Sequence, residues 1–150
     1  MDNCELPPIV EIPDGAIARI MGHGTFETEV FGEAYYQEHL GKICGPRTKE
    51  CVNIQIEAVL VLENQNEFDP MAVAVMIRRE PVGHLRRDDA RRFRDVISRT
   101  GFRNCRRFQV TALIRGGWDR GNGDLGFYGV RIDIPASVLA DGEQDEPENQ

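Results

Sequence analysis

No apolar run in the chain approaches the roughly 18 residues needed to span a bilayer. The amino end, MDNCELPPIVEIPDG, is acidic where a secretory leader is basic, and it holds no long apolar stretch. These two absences predict an intracellular protein with no membrane anchor. Cysteine is sparse: Cys4, Cys44, Cys51 and Cys105 stand at irregular spacings with no C-x-x-C pair. Zinc sites draw their ligands from close-spaced pairs, so the expectation is four reduced thiols and no metal. The catalytic signatures G-x-S-x-G, G-x-x-x-x-G-K-[ST] and H-E-x-x-H are also missing. Asp119, Asp124 and Asp133 are too scattered to nominate a metal-dependent nuclease. The chain is therefore expected to be non-catalytic, with no cofactor.

What is present is an uneven charge. The net charge is −7, which taken alone argues against a nucleic-acid partner. Residues 1–14 hold four acids and residues 141–150 hold five, with no base in either segment. Setting those nine charges aside leaves residues 15–140 at +2. Residues 78–107 alone carry eleven arginines against Glu80, Asp88, Asp89 and Asp95. A basic segment inside an acidic whole is the charge pattern to be explained. The domain reading follows: an acidic amino segment over 1–14, one folded domain over 15–140, and a disordered acidic tail over 141–150.

Alternating, β-branched patterns dominate that domain. Strands are predicted over 16–21, 28–33, 53–62, 72–77, 81–85, 106–115 and 126–134. In the third, Ile54, Ile56, Ala58, Leu60 and Leu62 share one face. The segments 72–77 and 81–85 read as a hairpin. A short helix is expected over 34–43. A second, over about 88–100, has Asp88 as its expected N-cap, Asp89 in the positive first turn and Gly101 as its stop. Ala90, Phe93, Val96 and Ile97 form its apolar stripe, with Arg91, Arg92, Arg94 and Arg99 on the flanks and opposite face. The predicted fold is mainly β: a small OB-like barrel of six or seven strands with two short inserted helices.

Three stretches in order, FGEAYYQ (31–37), ENQNEFDPMAVAV (63–75) and VGHLRRDDARRF (82–93), resemble the HIRAN domain family. The match spans roughly 15–135 and is of the kind seen in standalone bacterial members. Family members also occur attached to helicase and nuclease modules, and in a fork-remodelling member the domain captures the 3′ end of single-stranded DNA. The resemblance implies a DNA-binding module in repair or fork processing. A helicase or nuclease is the partner it would recruit.

By the same resemblance, Asp69 would accept a hydrogen bond from a terminal 3′-hydroxyl, and its charge would repel a 3′-phosphate or a continuing strand. Phe68, where the family has a tyrosine, would stack on a base of any identity. Tyr35 and Tyr36 would add a second stacking wall, and Asn66 polar contacts. His84 and Arg87 would hold phosphates, with Arg86 beside them. Phe127 is the expected distal aromatic and Trp118 the alternative. Ala34 replaces a family arginine.

Simpler readings stand beside these. Asp69-Pro70 is also ordinary turn grammar. Adjacent tyrosines on a helix diverge by about 100°, one inward and one out. The arginines of 88–100 could be a solvated face. Ala34 and the acidic ends favour an alternative function, a protein-interaction adaptor that has lost end recognition.

Overall fold

In the computed structural model, residues 9–11 and 18–139 are described. Cys4, the tail reading for 141–150 and most of the acidic amino segment lie outside them. Eight strands form one sheet: β1 Ile9–Glu11, β2 Ala18–Ile20, β3 Thr28–Phe31, β4 Val52–Leu62, β5 Val73–Ile77, β6 Glu80–Leu85, β7 Arg107–Gly116 and β8 Tyr128–Ile132. Six of them close in the order β7-β4-β5-β6-β3-β8 and back to β7, every pairing antiparallel. The protein is thus mainly β, a closed six-stranded barrel consistent with an OB-like fold. β2 adds to β7 in parallel at Ala18 and Arg19, and β1 pairs with β2.

The alternation in β4 and β7 explains the longest ladder, which runs from Val52 opposite Gly116 to Val61 opposite Arg107. Inward residues of β7 (Phe108, Val110, Ala112, Ile114) are buried, while Arg107 and Arg115 face out. β5 and β6 join through Arg78-Arg79, both at positive φ (53° and 71°). That geometry matches the sheet's twist, although neither residue is the usual glycine or asparagine. The register between them slips by one residue after Val75. At Gly83 a Cβ would lie 2.4 Å from the Phe31 carbonyl oxygen, so glycine lets β3 and β6 close up.

α1 (Gln37–Cys44) follows a 3₁₀ turn over Glu33–Tyr36, so the predicted first helix exists in two pieces. α2 (Arg87–Ser98) lays its predicted stripe on the core: Ala90, Phe93 and Ile97 are buried and Val96 is half-buried. Phe93 meets Phe108 edge-on at 5.2 Å. Asp88 is not the N-cap. Arg86 takes that position, because the chain is still extended there after β6 and its carbonyl already accepts from the Ala90 N–H at 2.8 Å. Asp88 and Asp89 fall in the first turn. α2 stops at Ser98, before Gly101, where the Thr100 hydroxyl donates to the Ile97 carbonyl. The sequence patterns did not foresee β1 or the short α3 (Ala136–Leu139), which packs against α2. No helix among the described residues is long and apolar enough to cross a membrane.

Candidate nucleic-acid interface

The β4–β5 connection, residues 63–72, contains no glycine and no residue at positive φ. Its side chains shape it instead. The Glu63 N–H donates to the Ala72 carbonyl at 3.0 Å and closes the base. Asn66 Oδ1 accepts from the backbone N–H groups of Phe68 (2.8 Å) and Asp69 (3.1 Å), and Asn66 Nδ2 donates to Glu63 Oε1. Asp69 Oδ1 accepts from the Met71 N–H at 3.0 Å. These are the local side-chain-to-backbone bonds that Asn and Asp make in turns.

Arg94 of α2 ties the loop down from outside. It donates to the carbonyls of Met71 (2.7 Å) and Ala72 (2.8 Å) and to Asn64 Oδ1 (2.7 Å). Burial pushes its pKa down, with Asp69 and Glu63 opposing that shift. At the tip of this anchored loop the Phe68 ring is 95% exposed. A large ring held in water on a fixed backbone is a ready stacking platform.

Asp69 follows it in the chain, its carboxylate mostly covered. Arg87 Nε lies 3.6 Å from Oδ2 and Arg91 Nη2 lies 3.8 Å from Oδ1. Oδ1 serves the turn. Oδ2 accepts no hydrogen bond among the described residues, so it keeps acceptor capacity for an incoming O–H. The turn reading and the binding reading of Asp69-Pro70 are therefore compatible, each using a different oxygen.

Next in the sheet, His84 Nε2 meets Glu63 Oε1 at 2.9 Å, which links β6 to the same loop. Phe31 lies directly across from His84, is half-exposed, and carries the Arg86 guanidinium 5.4 Å over its ring. Phe31 was not among the predicted site residues. Its signal was present, since TEVF buries Thr28 and Val30 and leaves an aromatic on the outward phase of the strand.

Asn66, Phe68, Asp69, His84, Arg86 and Arg87 thus gather around one loop and the start of α2. Tyr35, in the 3₁₀ turn, is 87% exposed, whereas Tyr36 is half-buried, so the pair diverges. Ala34 is exposed beside them. Phe127 stands just before β8 and is also exposed; β3 and β6 lie between β8 and the β5 end of the loop. Trp118 packs against Gly126, donates to Asp124 Oδ1 at 3.0 Å and lies under Arg120. Phe127 and Trp118 together line a groove of about 310 Å³ with Arg115 and Arg131.

Among the described residues, no three His, Cys, Asp or Glu side chains cluster as metal ligands would. Cys44, Cys51 and Cys105 are free thiols. Comparison with protein-family models, with curated proteins and with solved structures returns no match for this chain.

Proposed function

We propose that this protein is a non-catalytic DNA-binding module that captures single-stranded DNA by its free 3′-hydroxyl end, as the HIRAN-like order of its three sequence elements suggests. The observation that carries the reading is an exposed Phe68 ring next in sequence to the mostly covered Asp69 carboxylate on a side-chain-braced loop. The ring stacks on the terminal base, and Oδ2 accepts from the terminal hydroxyl. Arg87, Arg86 and His84 lie on the side from which the preceding phosphates approach. Phe31 and Tyr35 continue the aromatic surface. Arg87 and Arg91 offset part of the carboxylate's repulsion toward a terminal phosphate, so selectivity rests mainly on the hydroxyl's hydrogen bond.

The test is fluorescence anisotropy with one oligonucleotide ending in 3′-hydroxyl or 3′-phosphate. Tighter binding of the hydroxyl strand by about tenfold is expected from one charge-assisted hydrogen bond. Equal binding of both strands sinks end recognition. Binding of neither favours the adaptor reading, which the turn role of Asp69 Oδ1 and the exposed Ala34 also support. A helicase or nuclease remains the expected class of partner under the first reading.

A further inference from the structure

On the other side of loop 63–72 lies a surface that end capture does not use. Two polar grooves, of about 480 and 270 Å³, share Leu62, Asn64 and Arg106. One runs along Gln65 and Asn66; the other is lined by Arg103, Asn104 and Arg94. Arg94 is committed to the loop. Arg103 and Arg106 are exposed, and their guanidinium groups have no hydrogen bond or carboxylate partner among the described residues. Many of the other outer arginines are paired, as Arg19 is with Glu57, Arg99 with Asp95 and Arg131 with Glu29. The acid in the groove, Glu63, already holds His84 and Asn66. What remains is a trough of guanidinium and amide donors, which suits phosphodiester oxygens.

Its position says which phosphates. In the barrel order β7-β4-β5-β6-β3, the start of β7 with Arg106 lies on one side of the β4–β5 loop, and His84 and Phe31 lie on the other. A strand whose 3′ end stops at Asp69 sends its upstream nucleotides toward His84 and Phe31. That strand has no nucleotides left to fill the groove beyond its own end. We propose that the Arg103–Arg106 groove binds the backbone of a second DNA strand, the one that continues past the captured 3′ end at a fork. This rests on the end-capture reading for its geometry.

The test compares a short single strand with a fork in which the same 3′ arm is joined to a duplex and a second arm continues beyond it. Anisotropy is read for the full chain and for an Arg103→Ala/Arg106→Ala variant, with folding checked by thermal melting. The native chain should bind the fork at least about tenfold tighter than the single strand near 0.1 M salt, from two added phosphate contacts. The variant should lose that gain, keep its single-strand affinity, and lower the slope of log K against log salt on the fork by about 1.4. Equal binding of fork and single strand by the native chain overturns the proposal, as does a variant that keeps the gain. An equal loss on both substrates assigns the groove to the captured strand and overturns it too. If the native chain binds the fork but not the single strand, end capture fails, and the assignment of the groove to a strand beyond a captured end is overturned with it.

Discussion

The barrel carries two long loops bearing aromatics, both braced by side chains, and glycine shapes only one of them. Loop 117–127 adds glycine to its braces: Gly117, Gly121 and Gly123 sit at positive φ, Gly126 makes room for the Trp118 ring, and Arg47 donates to the Trp118 and Gly126 carbonyls. Loop 63–72 has no glycine and is braced by Asn66, Asp69 and Arg94. Glycine gives a loop its path but leaves a large unfolded-state entropy to overcome. Side-chain braces fix the path and also set polar groups at known positions. An aromatic ring on a braced loop loses little freedom on binding, which is the condition for an efficient recognition element. Under the proposed function, the glycine-free loop is the one expected to carry recognition.

The contrast can be broken most forcefully at Gly117. A Cβ there would lie 2.1 Å from the Tyr128 ring, at φ +74°. Gly117→Ala is expected to destabilise the fold by about 3 kcal/mol through overpacking and backbone strain. Urea denaturation reads this directly, and a loss below about 1 kcal/mol would mean that the loop has room to shift.

Arg94→Ala comes next. It leaves the Met71 carbonyl and Asn64 without their donor, takes one of two from the Ala72 carbonyl, and is expected to cost about 1–3 kcal/mol of stability. Unlike the glycine variant, it should weaken single-strand binding beyond any loss of folded protein, because the loop it braces carries Phe68 and Asp69. Binding that follows the folded fraction alone would show that the brace is unnecessary for recognition.

Phe68→Ala should separate the two properties fully. The ring is 95% exposed, so stability should change by no more than about 0.5 kcal/mol. Single-strand binding should fall by about 1–3 kcal/mol as a base stack is lost. A melting-temperature drop without a binding change would reverse the assignment.

The smallest effect concerns residues 141–150, which carry five acids and no base. Leu139 lines a groove with Asp89, so the chain leaves the described fold close to the start of the arginine-rich helix. Deleting 141–150 should strengthen DNA binding modestly at low salt and hardly at all at high salt, where the Debye length falls to a few ångströms, about 3 Å at 1 M. A gain that persists at high salt would point to contact other than charge competition.

Much of the fold was legible because β-strand alternation is a strong, local signal: β4 to β8 fall within a residue or two of their predicted spans. Barrel closure by β8 on β3, which sets Thr28 opposite Ile132, is a long-range pairing that no local pattern encodes. The start of α2 was misplaced because β6 runs straight into it: Arg86 holds the N-cap position with no side-chain cap bond, and Asp88 and Asp89 fall in the first turn. At the site, the resemblance brought together the residues of the loop and of the start of α2. It could not show that Arg91 reaches Asp69, that Arg94 holds the loop, or that Phe31 lies across from His84. These depend on how α2 and β3 pack against the loop, which sequence spacing does not report.

The central claim is that Asp69 reads the chemistry of a DNA end, and Asp69→Asn tests it most directly. Asparagine keeps an oxygen for the Met71 N–H and so preserves the turn, but it replaces the charged acceptor Oδ2 with an NH₂ donor. The measurement is the ratio of affinities for the 3′-hydroxyl and 3′-phosphate strands, native against variant, at one salt concentration. A ratio of about ten is expected for the native protein, falling to one or below in Asp69→Asn. A ratio unchanged by the substitution, with DNA binding intact, would make Asp69 a turn residue and contradict the account.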